Sequence, residues 1–207
     1  MTLNGGNICA GLQIEDVKLA NPFQDMMMKQ VLFQMRLGKV PENTASMTER
    51  AAMVVYWRHC AQSEVDELLE WFDTPNSDLV ELQMEVSDIL HFVFNMAISV
   101  GLHNQAVQEL MHGFTWTAEE SISEEVVIRR CVDFSKAMTK FIDTLPWKTW
   151  KNYTGRVVST LDMQVSYATM LRDLMLLAGA LGMDLQRVVN VYCAKNKENH
   201  ARQDRGY

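Results

Sequence analysis

The sequence predicts an all-α protein: a helical bundle built from a duplicated two-helix unit with an added N-terminal helix. Proline is scarce, with 4 residues among 207, and methionine is abundant, with 15, so helix breakers are few and unbranched apolar side chains are many. Apolar residues recur at intervals of three and four over long stretches, which is the helical period. The second half of the chain then repeats the order of helices and breaks found in the first half.

Turn residues delimit the first four predicted helices, which span residues 23–39, 49–72, 79–102 and 105–112. Pro22 opens the first helix, where its missing N–H costs no hydrogen bond, and Gly38 ends it. The second helix is predicted by its length and by its alanine, leucine and glutamate content. Pro75 and Asn76 favour a turn before the third helix, which closes at Gly101. The fourth helix is short.

Three more helices are predicted over residues 124–145, 161–183 and 184–203. Pro146 begins the break after the first of them, and Asp184 can cap the last. Aligning Cys131 with Cys60, and the two helix-closing glycines with one another, superimposes the halves. We therefore expect a single domain over residues 1–207, with an active repeat at about 48–112 and a degenerate repeat at about 124–204.

Charge and cysteine placement exclude several classes of protein. The net charge is −7, whereas proteins that bind duplex nucleic acid through its backbone are usually basic, so we expect no direct nucleic-acid binding. The four cysteines are scattered without a C-x-x-C pair, which argues against a zinc site. No apolar stretch reaches the roughly 18 residues of a membrane span, and no signal peptide is evident. A cytoplasmic location without membrane contact is expected.

Four carboxylates lie in two pairs on the second and third predicted helices. Glu64 and Glu67, like Glu85 and Asp88, are three positions apart, so each pair shares one helix face with Cβ atoms about 5–6 Å apart. Two antiparallel helices packed face to face would bring all four together. Hard divalent cations prefer such oxygen ligands, and Mg²⁺ does so particularly beside phosphates. A di-iron bundle would add Glu-x-x-His ligands, which are missing here.

The second repeat lacks all four carboxylates. The alignment places Ser135, Met138, Ser166 and Thr169 at their positions, while the apolar frame is kept. The alternative reading of the carboxylates is a solvated charge run on the surface. Such a run would have no reason to disappear as a set, so the comparison favours a metal site.

The last predicted helix carries a polar stripe near its end. Lys195, Asn199 and Arg202 are spaced i, i+4 and i+7 and therefore share one face. An ammonium, an amide and a guanidinium in line can bind phosphate. The alternative is a basic helix end that complements the helix dipole. Beside a magnesium site, phosphate binding is favoured.

Three segments resemble the dimeric all-α dUTPases of the all-α NTP pyrophosphatase superfamily, to which the MazG-type enzymes also belong. They are residues 57–68 (WRHCAQSEVDEL), 85–92 (EVSDILHF) and 195–207 (KNKENHARQDRGY). Residues 30–37 and 91–95, together with the C-terminal segment, are most similar to the dCTPase–dUTPases of T-even phages.

The resemblance implies Mg²⁺-dependent hydrolysis of dCTP, dUTP or both to the monophosphate and pyrophosphate. It implies a homodimer that serves phage nucleotide metabolism in the host cytoplasm. The four carboxylates would hold Mg²⁺, and Glu64 or Glu67 would act on the attacking water. Two alternatives remain, namely a broad-specificity MazG-like enzyme and a catalytically inactive helical binding protein.

The resemblance also assigns residues to the parts of the nucleotide. Phosphates would be bound by Lys195, Asn199 and Arg202, and Gln34 stands where the family carries a base-contacting asparagine, which leaves room for cytosine. A W-K-x-W run at 147–150, which the family carries between its acidic motifs, lies here in the second repeat. Lys148 could meet a phosphate and one of the two tryptophans could stack on a base, or the tryptophans could cover the core. The residues expected at the base and sugar are Gln30, Gln34, His91, Asn95 and Tyr207.

Overall fold

The computed structural model describes residues 14–71, 78–102, 106–148, 150–153 and 157–206. Within these residues the chain forms seven α-helices and no strand, which confirms the predicted fold class. No single described helix is long and apolar enough to cross a membrane, and one pair, the last two helices, meets that test only when taken together across a 99° bend. The helices are α1 (Pro22–Arg36), α2 (Met47–Glu70), α3 (Leu79–Val100), α4 (Ala106–Met111), α5 (Glu124–Asp143), α6 (Thr160–Ala180) and α7 (Leu185–Asp204).

Polar side chains at the N-termini determine where several helices begin. Asp184 caps α7 as predicted, accepting a hydrogen bond from the Arg187 N–H at 2.7 Å. Helix α2 begins before the predicted residue 49, because Ser46 and Glu49 form a capping box. The backbone N–H of Ser46 donates to the Glu49 carboxylate at 2.6 Å, and the Glu49 N–H donates to the Ser46 hydroxyl at 3.3 Å.

Helices α2 and α3 form an antiparallel hairpin, and α5 and α6 form a second one. Near the start of α2, Arg50 donates to the carbonyl of Ser99 at the end of α3, at 3.2 Å. In the second hairpin, the rings of Phe141, late in α5, and Tyr167, early in α6, lie 5.6 Å apart at 64°. These hairpins correspond to the two-helix units that the sequence predicts. The first helix of each hairpin carries one of the two aligned cysteines, Cys60 in α2 and Cys131 in α5.

Helix α3 lies at the centre, because α1, α2, α6 and α7 all pack against it. Its side chains are buried around nearly its whole circumference, as expected for a helix inside a bundle. Tyr192 of α7 ties three helices together. Its hydroxyl lies 3.0 Å from the Met26 carbonyl and 3.2 Å from Gln30 Oε1 on α1, and its ring stacks on His91 of α3 at 4.3 Å. This arrangement places α1 and α7 beside the polar face of the first hairpin.

Gly179 of α6 lies directly beneath the segment that follows α4. A Cβ atom at this position would lie 2.6 Å from the Thr117 carbonyl oxygen and 2.9 Å from Trp116 Cδ1, and that segment is held by the Glu119 N–H bonding to the Gly179 carbonyl. We expect Gly179→Ala to lower the free energy of unfolding by about 1–3 kcal/mol, despite the higher helix propensity of alanine. Urea denaturation measures this, and an unchanged or higher midpoint would contradict the packing described.

Candidate active site

Three carboxylates meet between α2 and α3. Glu64 and Glu67 come from α2 and Glu85 from α3, and one oxygen atom of each lies within 4.8 Å of the others. Glu64 and Glu85 are half-buried, whereas Glu67 is exposed. Carboxylate oxygens converging in this way are the ligands that hard divalent cations take. The donor set therefore fits Mg²⁺.

Burial and mutual repulsion change the acidity of this cluster. Burial is the largest cause that raises the pKa of Glu64 to about 8, followed by its hydrogen bond to Glu85 and by repulsion from Asp88, Glu85 and Glu67. The pKa of Glu85 is also raised, again chiefly by burial. At neutral pH the metal-free cluster consequently retains a proton on the Glu64–Glu85 pair, which a divalent cation would displace.

Asp88, the fourth predicted metal ligand, contacts a different partner. Lys195 of α7 donates to its Oδ2 at 2.5 Å, and the two side chains are only 14% and 18% exposed, respectively. The structure thus brings three of the predicted ligands into one cluster. It pairs the fourth with a lysine that the sequence assigns to phosphate.

A cavity of about 440 Å³ opens beside Glu64 and Asp88. Helix α1 contributes to one wall, α2 and α3 contribute the acidic side, and α7 contributes its polar stripe. Nine of the residues predicted from the sequence line it: Gln30, Gln34, Glu64, Asp88, His91, Asn95, Lys195, Asn199 and Arg202.

Two glutamines of α1 line this cavity, and their amide groups differ in hydrogen bonding. The amide of Gln30 is fixed, because its Nε2 donates to Asn95 Oδ1 at 2.8 Å and its Oε1 accepts from the Tyr192 hydroxyl at 3.2 Å. Gln34, one turn later, is 3% exposed, and its Oε1 has no hydrogen-bond partner among the described residues. Since a buried polar atom is normally paired, Gln34 has a free hydrogen-bonding position at the cavity wall.

His91 is buried between α3 and α7 and is held in one tautomer. Its Nδ1 lies 2.7 Å from the Ser87 carbonyl, which can only accept, so Nδ1 carries the proton. Burial lowers the pKa of His91, outweighing the opposing effect of Asp88, and the ring is therefore neutral at physiological pH. Its Nε2 is left as an acceptor with no partner in the described part of the chain.

Several cavity residues received no role from the sequence. Trp57 and Phe92 stack at 6.0 Å between ring centroids, Tyr56 packs against Trp57 at 4.7 Å, and the Lys39 ammonium lies 5.6 Å from the Trp57 ring centroid. Cys60 also lines the cavity. The sequence spacing offers a signal for Trp57 and Cys60. Trp57 and Cys60 precede Glu64 by seven and four positions, which puts them on the same helix face.

Other predicted site residues lie elsewhere. Lys148 pairs with Asp143 at 3.2 Å beyond the end of α5, and it is not among the residues that line the cavity. Trp147 donates to the same carboxylate at 3.0 Å, and Trp150 is 73% exposed. The structure therefore does not bring Lys148 to the acidic cluster. Tyr207, which was expected at the sugar, lies outside the described residues.

The comparisons with known proteins point to one family. The chain matches a family described as dUTPase over residues 64–207, which is more than half of its length. The matched region contains the three carboxylates, Asp88 and the polar stripe of α7, but not α1. No curated protein matches the chain.

The raised pKa of Glu64 predicts a pH-dependent stability for the metal-free protein. Because the folded-state pKa of about 8 exceeds the ordinary value of 4.5, the stability gained from the proton is fully present below about pH 4.5 and is lost as the pH rises through 8. In EDTA, the thermal midpoint should fall over this range, and Glu64→Gln, which cannot ionise, should flatten the fall and raise the midpoint at the alkaline end.

Asp66→Asn is the matched control, since Asp66 is an exposed carboxylate on the same helix. It should leave the pH dependence of the midpoint as in the wild type. If the wild type and Glu64→Gln showed the same pH dependence, the assignment of the proton to this cluster would be wrong.

Proposed function

The chain belongs to the dUTPase family, and from this premise we propose that it hydrolyses pyrimidine deoxynucleoside triphosphates, dCTP and dUTP, to the monophosphate and pyrophosphate with Mg²⁺. One observation carries the proposal. A carboxylate cluster that fits a divalent cation borders the cavity through Glu64, and the cationic face of α7 borders the same cavity through Lys195 and Arg202. Metal-ligating acids beside phosphate-binding cations are what a triphosphate requires.

The proposed reaction is attack of water on the α-phosphorus. The four carboxylates would hold Mg²⁺, which would neutralise part of the negative charge of the triphosphate and lower the pKa of the attacking water. Glu64 or Glu67 orients that water and accepts its proton as the new P–O bond forms. The bond between the α-phosphorus and the bridging oxygen breaks, and pyrophosphate leaves. Lys195 and Arg202 stabilise the negative charge that develops on it, and Asn199 donates to a phosphate oxygen.

The base is proposed to meet the wall formed by α1 and α3. Cytosine carries an amino group at C4 where uracil carries an oxygen. Both ends of the Gln30 amide are hydrogen-bonded, whereas the Gln34 amide can turn either its oxygen or its nitrogen toward the base. This difference supports the use of both substrates. His91 and Asn95, with Tyr207, are proposed to contact the base or the sugar.

We place this activity in a single domain of residues 1–207, with the active repeat at about 48–112 and the degenerate repeat at about 124–204. The state of Met138 supports a degenerate second copy, because it is fully buried at the position where the first copy exposes Glu67. A homodimer and a role in phage nucleotide metabolism are proposed on the family resemblance alone.

Pyrophosphate release from a panel of deoxynucleoside triphosphates tests the activity. With Mg²⁺, we expect dUTP and dCTP to be hydrolysed in preference to purine substrates. Comparable hydrolysis of purines would favour a broad MazG-like enzyme, and hydrolysis of none would favour a helical binding protein.

Substitution of Glu67 tests the proposed site itself. Because Glu67 is exposed, Glu67→Gln should leave the circular dichroism spectrum unchanged while lowering kcat by at least about 100-fold. Glu81→Gln, at an exposed glutamate of α3, is the control and should retain activity. Retained Mg²⁺-dependent turnover in Glu67→Gln would contradict the site.

Gln34→Asn tests base recognition. The shorter side chain withdraws the amide from the C4 substituent and restores the residue of the family, so the ratio of kcat/KM for dCTP to that for dUTP should fall about 10-fold. Gln203→Asn makes the same chemical change at another glutamine that lines the cavity, and it should leave the ratio near the wild-type value. An unaltered ratio in Gln34→Asn would remove Gln34 from base selection.

A further inference from the structure

The ion pair between Lys195 and Asp88 joins two residues to which the proposed reaction gives different partners. Asp88 is to hold a metal ion and Lys195 is to hold phosphate, yet they contact each other at 2.5 Å. The side chains are 18% and 14% exposed, respectively, so solvent screens their attraction less than in a surface pair. The ammonium holds one of the two Asp88 oxygens that a metal ion would use, and its positive charge repels a cation that approaches this carboxylate.

The other cations at the cavity do not contact Asp88. Lys39 lies against the Trp57 ring, and the Nε of Arg202 lies 3.3 Å from Glu198, its neighbour one turn earlier on α7. Among the described residues, the salt bridge that reaches the metal-ligand carboxylates is therefore the one made by Lys195. Its ammonium contacts Asp88 Oδ2, so a positive charge lies against the carboxylate that the proposed metal site would use as its fourth ligand.

We propose that Lys195 is an internal counter-ion that keeps Asp88 from binding metal until a triphosphate draws the ammonium away. The inference rests on the proposed function and adds an order of events to it. Without nucleotide, a divalent cation has access to Glu64, Glu67 and Glu85. When phosphate oxygens accept the Lys195 ammonium, the Asp88 carboxylate is released and completes the metal site.

The side chain suits such a transfer. Lysine carries a compact charge on a flexible four-carbon stem, so the ammonium changes partner by rotation of the stem while α7 stays in place. Asn199 and Arg202 follow Lys195 on the same face of α7 and line the same cavity, so phosphate bound by them would lie within reach of Lys195. By thermodynamic reciprocity, nucleotide then tightens metal binding as much as metal tightens nucleotide binding.

Mn²⁺ titration followed by electron paramagnetic resonance measures the first consequence, because the signal of free Mn²⁺ gives the bound fraction. Without nucleotide, Lys195→Met should bind Mn²⁺ about 10-fold more tightly than the wild type. Lys195→Gln, which removes the charge with a polar side chain, should do the same. Lys39→Met removes a cation from the same cavity that is not paired with Asp88, and it should change the Kd less than about 3-fold.

The second consequence is a loss of coupling. A non-hydrolysable α,β-imido analogue of dUTP should tighten Mn²⁺ binding by the wild type, and this gain should be about 10-fold smaller in Lys195→Met. Circular dichroism verifies that each variant is folded. If both Lys195 variants bound Mn²⁺ as the wild type does, with the same gain from the analogue, Lys195 would not be the counter-ion.

Hydrolysis by the wild-type chain separates this inference from the proposed function. A chain that hydrolyses dUTP or dCTP but shows unchanged Mn²⁺ binding in both Lys195 variants would overturn the counter-ion role alone. A chain that hydrolyses none of the substrates but shows tighter Mn²⁺ binding in those variants would overturn the proposed function and support the counter-ion.

Discussion

Repulsion among the carboxylates of α2 and α3 is the constraint to which the surrounding structure responds. Oxygen atoms of Glu64, Glu67 and Glu85 converge within 4.8 Å, two of them in half-buried side chains. Two unit charges at about 4 Å repel by about 1 kcal/mol in water and by about 4 kcal/mol near a protein surface. The metal-free protein relieves this repulsion with a proton on the Glu64–Glu85 pair and with the Lys195 ammonium on Asp88. A cluster that holds a proton and an ammonium in this way fits the proposed binding of a divalent cation and of the phosphates that accompany it.

The packing of α1 and α7 converts this acidic face into a cavity with distinct sides. Tyr192 joins α7 to α1 and α3. Its hydroxyl bonds to α1 and helps to fix Gln30, and its ring stacks on His91 of α3. In the neighbouring Gln34, the amide oxygen has no hydrogen-bond partner within the described part of the chain. The orientation of the Gln30 amide is therefore set by its hydrogen bonds, whereas the Gln34 amide oxygen is left for a group bound in the cavity. In the second hairpin, Met138, which aligns with Glu67, is buried in the core.

Helical spacing within one element made most of the fold and site predictable. The i, i+3 spacing places Glu64 and Glu67 on one face of α2, and the i, i+4, i+7 spacing places Lys195 on the polar face of α7, without any knowledge of how the helices pack. Helix α2 starts at Met47 rather than at the predicted residue 49, because the capping box of Ser46 and Glu49 fixes its first turn. The pairing of Lys195 with an acid and the free amide of Gln34 depend on how separate helices dock, and no local pattern carries that information. Motif similarity assigns Lys148 to the phosphates, whereas its pairing with Asp143 of α5 depends on how the connection after α5 folds.

Anomalous diffraction from crystals grown with Mn²⁺ and a non-hydrolysable dUTP analogue tests the metal site most directly. A peak should lie about 2.0–2.2 Å from carboxylate oxygens of Glu64, Glu67 and Glu85, with Asp88 turned away from Lys195 toward the ion and the analogue. A map without a peak between α2 and α3, or an ion bound by the analogue alone, would contradict the role of this cluster in binding metal.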